Sequence, residues 1–479
     1  MKRRFLLPVV LGAAVLCSFT GKKPAPNRPP NVIVILADDL GYSDLQAYGN
    51  AKVRTPNIDG LGKSGIRFTT AYSAAPICSP SRAGLITGRS QVRFGYEFMP
   101  DGNGAVQNGL PATELTLAQL LHAQGYATGI VGKWHLGIGD GFYPDQKGFD
   151  YSYYFQAGLS PYTEGELDTS KYAGIRAPWA LTDKIAWTPR KGATAIREGR
   201  EIVQDTGYLT FSLANKASQF IQQHKDKPYF LYLTFNAPHD PFQVPKAYYN
   251  KVTTEKDSLK RIYYGMIEAL DDAVGQVLAQ VKASGLEDNT IIFFTSDNGG
   301  ASYTRATDNY PLRGGKCTHF EGGLSVPFYV RYPGHIASGV TSAQEISSLD
   351  IFATAAALSG ATLPADRTYD GVNLVPFLQK GTLNKHPHEQ FVWRSGFSKA
   401  FRSGNWKLVV NEHDKKEWLF DLSKDREEKK DLSASHPKEL KQLKEALKKY
   451  EDTQVHSPLW ESRYNTTVSE RGEEYTFPI

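Results

Sequence analysis

Asp38 and Asp39 close the apolar run NVIVILADD. Three later runs rich in β-branched and aromatic residues end in a similar way: ATGIVGKWH in Lys133 and His135, YFLYLTFNAPHD in His239 and Asp240, and TIIFFTSDN in Asp297 and Asn298. Runs of this kind suit parallel strands covered on both faces, and α/β proteins bind ligands beyond the carboxyl ends of such strands. One Asp after one strand is commonly a helix cap or a turn former. Four ends that together deliver carboxylates, an amide, a lysine and two imidazoles read better as one converging site.

The stretch APICSPSRAGLITGR adds a thiol to that set. Of the three cysteines, Cys17 lies in the N-terminal leader, so Cys78 and Cys317 remain and a disulfide scaffold is excluded. Alone, Cys78 could be half of a single bridge or a small buried hydrophobe. Its neighbours favour a third reading. Pro80 suits a first helical turn and SRAGLITG continues the helix to Gly88, so Cys78 sits at or just before a helix N-terminus. Backbone N–H groups there favour a bound anion or an ionised nucleophile, and Arg82, one turn on, points back to the same spot.

Positioning these residues requires alternating strands and helices. Helical patterns occupy TLAQLLHAQG, LANKASQFIQQH and SLKRIYYGMIEALDDAVGQVLAQVKASG. In the last of these Ile262, Met266, Ile267, Leu270, Val274, Val277, Leu278 and Val281 make one apolar stripe. The order predicts an α/β fold over residues 31–365, with a large, mainly parallel sheet sandwiched by helices. The pattern then changes. FVWRSGFSKAFRSGNWKLVVNEHDKKEWLFDLSKD reads as an antiparallel meander and HPKELKQLKEALKKYEDT as an amphipathic helix. Residues 366–479 are therefore expected to form a smaller α+β domain with an antiparallel sheet. A chain of 479 residues, 41% of them hydrophobic, is long enough for two such units.

The opening MKRRFLLPVVLGAAVLCSFTG has a basic start, an apolar stretch from Phe5 to Leu16 and small polar residues after it. This reads as a secretory signal peptide over 1–20, followed by a Pro-rich tether over 21–30, with no transmembrane span. An exported protein, periplasmic or extracellular, is expected; a lipid anchor through Cys17 is the alternative, although Leu16 fits that pattern poorly. Lys and Arg number 55 against 50 Asp and Glu, and three of the bases are Lys2, Arg3 and Arg4. The rest of the chain is nearly neutral, so nothing favours nucleic acid as a partner.

CSPSRAGLITGR resembles the signature of the type I sulfatases, in which Cys, any residue, Pro, Ser and Arg lead to a Thr-Gly-Arg end; Ile86 here replaces the more usual Leu. ILADDLGYSD is similar to that family's N-terminal metal strand, GIVGKWHLG to its Lys and His motif, and NAPHDPF to its second His. FFTSDNGG is similar to its second metal pair and LRGGKCTHFEGGLSVPF to its late Lys loop. All six stand in the family's order, and only residues 158–212 and the C-terminal domain carry no motif that maps. The resemblance implies the alkaline-phosphatase-like fold. It also implies that Cys78 is oxidised to formylglycine by a formylglycine-generating or anaerobic sulfatase-maturing enzyme. Asp38, Asp39, the converted Cys78, Asp297 and Asn298 would hold Ca²⁺.

The residue types agree with that implication. Carboxylates and an amide oxygen are hard donors with no soft ligand beside them, which suits Ca²⁺, with Mg²⁺ second, over zinc. Lys133, Lys316 and Arg82 would place positive charge around a transferring sulfuryl group. By similarity, one hydroxyl of the hydrated aldehyde attacks sulfur, and His239, aided by Lys316, protonates the leaving alcohol. His135 then takes the proton of the remaining hydroxyl, expelling sulfate and restoring the aldehyde. Taken alone, His135 would read as a core histidine and Lys316 as a loop charge; the GKWHLG context and the two glycines before Lys316 favour site roles. Cys317, His319, Glu321 and His122 are given no catalytic role, and KDREEKKD is expected to be a solvated loop.

The expected activity is hydrolysis of sulfate esters of a sulfated saccharide or polysaccharide fragment. The aromatic insert YYFQAGLSPYTEGELDTSKYAGIRAPW is open between stacking on sugar rings and plain packing. Two rivals are a phosphoric or phosphonic ester hydrolase of the same superfamily, and a non-catalytic relative that binds sulfated glycan. The first usually presents Ser or Thr, or two metals. Intact Cys78, Arg82, both histidines and both lysines weigh against the second.

Overall fold

The structure, a computed structural model, describes residues 28–100, 108–176 and 187–479. The signal peptide and most of the tether lie outside the described residues. The first twelve strands are β1 (Asn31–Ala37), β2 (Ile66–Tyr72), β3 (Ala127–Lys133), β4 (Tyr151–Phe155), β5 (Tyr172–Ile175), β6 (Arg197–Glu198), β7 (Glu201–Ile202), β8 (Tyr229–Thr234), β9 (Phe242–Pro245), β10 (Thr290–Ser296), β11 (Phe328–Arg331) and β12 (Val340–Ser347). All except β5 and β9, which pair with each other, form one ten-stranded sheet in the order β12-β2-β11-β10-β1-β8-β3-β4-β6-β7.

The centre of that sheet, β10-β1-β8-β3-β4, is parallel throughout. Antiparallel strands β11 and β6–β7 flank it, and β12 pairs parallel with β2 at one margin. The four runs expected to end in site residues are the four neighbours β10, β1, β8 and β3. Parallel pairing puts their carboxyl ends side by side, with Ala37 opposite Ser296 and Thr234 opposite both Leu36 and Gly132.

Successive side chains of a strand point to opposite faces, and β1 is buried on both. Ile33, Ile35 and Ala37 pack with the helices Leu209–Gln223 and Ser258–Ala283. Val32, Val34 and Leu36 pack with Cys78–Thr87, Leu117–His122 and Asp350–Ser359. Each such aliphatic side chain contributes about 1.5–3 kcal/mol on burial. The stripe expected on Ser258–Ala283 is buried except at Leu278, which is partly covered, and Asp257 caps the helix by accepting from Lys260 N.

The C-terminal part holds the antiparallel meander β13 (Gln390–Ser395), β14 (Ser398–Ser403), β15 (Trp406–Asn411) and β16 (Lys416–Asp421), then the helix Pro437–Gln454 and the hairpin β17 (Asn465–Glu470) and β18 (Glu473–Pro478). One face of the meander takes Leu443 and Leu447 of that helix. The other face sets Trp393, Trp418 and Phe420 against Tyr72, Ile77, Cys317 and Phe320, so it braces the loop that carries Lys316.

KDREEKKD departs from the solvated loop expected of it. Glu428 is fully buried, its Oε2 accepts from Glu321 N at 2.6 Å, and Lys407 Nζ lies 2.9 Å from both Glu428 Oε1 and Glu321 Oε1. A charge-rich run is drawn inward when a buried cation from another strand awaits it, here Lys407 of β15. Among the described residues no helix is long and apolar enough to cross a membrane.

Candidate active site

The helix Cys78–Thr87 begins at the cysteine and ends where Gly88, with φ +66°, leaves helical geometry. Its first N–H groups have no side-chain cap. Cys78 is buried, with Sγ 3.7 Å from Asp39 Oδ1, so the helix N-terminus faces the end of β1. Ser79 Oγ donates to His135 O at 2.6 Å and ties the same turn to the end of β3.

Cations and carboxylates then interlock beneath the thiol. Arg82 is fully buried. Its Nε donates to Asp297 Oδ2 at 2.9 Å, its Nη1 to Lys133 O at 3.1 Å, and its Nη2 lies 3.5 Å from Asp38 Oδ1. Lys133 Nζ donates to both oxygens of Asp38, at 2.9 and 2.8 Å. Lys316 Nζ donates to Asp39 Oδ2 at 2.8 Å. Burial works against a charge on Asp38, but Lys133, His239 and Arg82 outweigh it and hold that carboxyl far below the usual carboxylate range. Asp39 (φ +59°), His135 (φ +55°) and Cys317 (φ +73°) all sit in the left-handed region, a strain that surrounding structure must enforce.

The two histidines are set in opposite states. Burial, then the charges of Lys133 and Arg82, push His135 well below its ordinary value, so the imidazole is neutral. Burial and Lys316 also push His239 down, but Asp39, Asp38 and Asp240 outweigh them and raise it well above its ordinary value. His239 Nδ1 lies 2.6 Å from Asp240 O, and its Nε2 lies 3.2 Å from Lys316 Nζ and 3.5 Å from Asp39 Oδ2.

A cation fits this donor set. Asp38, Asp39, Cys78 and His239 can bring ligand atoms within 4.8 Å of one another. Asn298 donates through Nδ2 to Asp39 Oδ1 at 2.7 Å, while its buried Oδ1 has no partner. A buried amide oxygen without a donor, beside three gathered carboxylates, suits a hard cation.

Above the thiol opens a cavity of about 370 Å³, lined by Cys78, His135, His239 and Lys316 and walled by segments with no assigned role. Gln156–Leu159 forms one wall and Arg463 and Tyr464, before β17, another. The aromatic insert runs along this wall, and its last three residues, 177–179, lie outside the described residues. Its rings at Tyr153, Tyr154, Phe155 and Tyr162 are buried packing, whereas residues Gln156–Leu159 border the cavity. The single hydroxyl proton of Tyr162 is shared between Asn236 O and His239 O, at 2.7 and 2.8 Å, and so holds the His239 loop. Asn309 works likewise on the Lys316 loop: Nδ2 donates to Gly300 O and Gly314 O, and Lys316 N donates to Gly300 O. Neither residue carried a signal in the sequence beyond an aromatic or polar type in a loop. His319 is structural, its Nδ1 3.0 Å from Tyr475 OH.

A parallel-centred sheet whose carboxyl edge gathers three carboxylates, three cations, two histidines and a cysteine-led helix is the framework of an alkaline-phosphatase-like ester hydrolase. The chain belongs to the sulfatase family: residues 30–361 match the Sulfatase family, and residues 315–454 match N-sulphoglucosamine sulphohydrolase, C-terminal. It is a sulfuric ester hydrolase. N-acetylgalactosamine-6-sulfatase of Rattus norvegicus is 34% identical over 418 residues, covering 85% of this chain and 75% of that protein. Arylsulfatase A of Bos taurus is 36% identical over 406 residues, covering 79% and 74%. The solved structure of Ps i-CgsB in complex with k-i-k-neocarrahexaose superposes with a TM-score of 0.80 at 32% identity, covering 90% of this chain and 95% of that one.

Proposed function

We propose that this protein is an exported sulfatase that removes sulfate from a saccharide or polysaccharide fragment, with residue 78 as nucleophile after conversion of Cys78 to formylglycine. One observation carries the reading: Cys78 stands at a helix N-terminus, 3.7 Å from Asp39, in a cavity that it shares with His135 and His239. The names of the relatives support a saccharide, since they include an N-acetylgalactosamine-6-sulfatase and a protein solved with a neocarrahexaose.

Asp38, Asp39, Asp297 and Asn298, with residue 78, would hold Ca²⁺. The ion would supply positive charge against sulfate oxygens and the hydrated aldehyde a hydroxyl nucleophile. Arg82, Lys133 and Lys316 hold further positive charge in place, so little reorganisation is needed as charge shifts from sulfur to the leaving oxygen. His239, raised by its carboxylate neighbours, gives its proton to that leaving alcohol oxygen. Neutral His135 accepts the proton of the second hydroxyl at position 78, which releases sulfate. Asp240 and Tyr162 keep His239 in place, and Ser79 anchors the backbone of His135.

Peptide mass spectrometry across residue 78 of exported protein, paired with hydrolysis of a panel of sulfated sugars, tests this. Formylglycine with turnover is the expected result. Turnover by protein whose Cys78 is unmodified would overturn the nucleophile.

A further inference from the structure

Beyond sulfate, the cavity carries a charge that the reaction does not use. Among the described residues its lining includes Lys316, Arg463, Lys191 and the two histidines, and no Asp or Glu side chain. Lys316 is ion-paired with Asp39 at 2.8 Å and belongs to the reacting centre, and Arg463 Nη2 donates to Pro100 O. Lys191 is exposed at the outer wall, and among the described residues its ammonium has no ion pair.

Its backbone, by contrast, is held firmly. Lys191 N donates to Thr194 Oγ1 at 3.0 Å and Thr194 N to Lys191 O at 3.0 Å. Gln156 N and Ala157 N then donate to Ala193 O at 3.0 and 2.9 Å, which fastens this turn to the wall beside His135. Gln156 is only 2% exposed and lines the same cavity, yet its side-chain Nε2 has no acceptor. A buried amide donor left without a partner costs about 1–3 kcal/mol, a cost that a ligand oxygen would remove. Tyr464, 46% exposed, presents a ring at the same opening.

We propose that Lys191, Gln156 and Tyr464 form a second-anion subsite, which selects a sulfated sugar bearing a further negative group, either a second sulfate or a uronate carboxylate. The proposal rests on the carbohydrate-sulfatase reading of the same cavity. Lys191 pairs with the second anion, Gln156 Nε2 donates to an oxygen of the sugar, and Tyr464 covers a ring face. The unpaired ammonium of Lys191 also draws such a substrate in, and salt weakens that attraction.

The test uses the full chain with residue 78 matured and three probes: a hexose monosulfate, the same hexose carrying two sulfates, and a monosulfated disaccharide containing a uronate. A small aryl sulfate is run beside them. The wild type should prefer at least one doubly anionic probe over the monosulfate by about fivefold in kcat/KM, through KM, with the preference shrinking as salt rises. Which probe is favoured identifies the anion. Lys191→Ala should bring the ratio to about one, Lys191→Glu below one, and Lys191→Arg should retain it. Equal use of all three saccharides by the wild type, or a preference unchanged in Lys191→Ala, would overturn the subsite while leaving the sulfatase reading standing. No turnover of any probe, the aryl sulfate included, would overturn that reading and the subsite with it.

Discussion

Arg82 and Asp297, 215 positions apart, meet at 2.9 Å from Nε and 2.8 Å from Nη2 to the same carboxylate oxygen, with neither side chain exposed. This pair locks the helix that starts at Cys78 onto the end of β10. Removing one partner of a buried pair leaves an uncompensated charge, which costs about 3–5 kcal/mol. Arg82→Leu should therefore lower unfolding free energy in urea by that amount. A loss below about 1 kcal/mol would mean that Lys133 alone neutralises the carboxylates.

Cys78→Ala should abolish turnover with the fold retained, because the thiol makes one long contact to Asp39 and fills little volume. Circular dichroism and the unfolding midpoint check the fold, and a sulfate-release assay checks the rate. Residual turnover near wild type would remove residue 78 from the reaction.

The unpaired Oδ1 of Asn298 makes a second expectation measurable without any substrate. Asn298→Leu keeps the volume and removes the donor atom, so calcium affinity should fall at least as far as loss of an outer-shell partner would cause, roughly 10- to 100-fold. Calorimetric titration with Ca²⁺ reads this directly. Unchanged affinity would take Asn298 out of the ligand set.

Gly158 passes close over His135: a Cβ there would lie 2.9 Å from Cε1 and 3.0 Å from Nε2 of the imidazole. Gly158→Ala should displace the ring and lower kcat roughly 10- to 100-fold, since misplacement by about 1 Å can cost that much. Thermal stability should change little. Full activity in the variant would show that His135 tolerates movement and is not the proton acceptor.

His388 and Asp350 give a pH dependence away from the site. His388 Nε2 lies 2.8 and 3.0 Å from the two oxygens of Asp350, which also accept from Ser347 N and Val372 N. Burial pushes the imidazole down, but Asp350, with Asp370 and Glu345, outweighs it and raises His388 above its ordinary value. A raised folded value means that the pair's stabilisation is complete below the unfolded value of about 6.5 and fades as pH rises through the folded one. Urea midpoints should fall across that window in the wild type and fall less in His388→Gln. Parallel curves would show that the pair contributes nothing.

The strand and helix pattern of the first 365 residues was legible because it is periodic. Apolar β-branched runs and an i, i+3, i+4 stripe report burial from local order alone, and β1, β3, β8, β10 and Ser258–Ala283 follow them. The motif residues were legible too, since Asp38, Asp39, Cys78, Arg82, Lys133, His135, His239, Asp297, Asn298 and Lys316 all arrive in one cluster. Glu428 was misread because nothing local marks a charge that is neutralised by Lys407 from another strand. Tyr162 and Asn309 were missed for a related reason: each acts through backbone carbonyls that fold back on it.

By itself, then, the sequence determined the layered α/β framework, the antiparallel C-terminal meander and the chemical groups at the strand ends, all of which follow from spacing along the chain. Only the tertiary structure decided which walls face those groups. Gln156, Lys191 and Tyr464 come from three separated segments, two of them in regions without any motif, and meet around one cavity. The tertiary structure also set the opposed states of His135 and His239, because burial and neighbouring charge act through space and leave no trace in residue order.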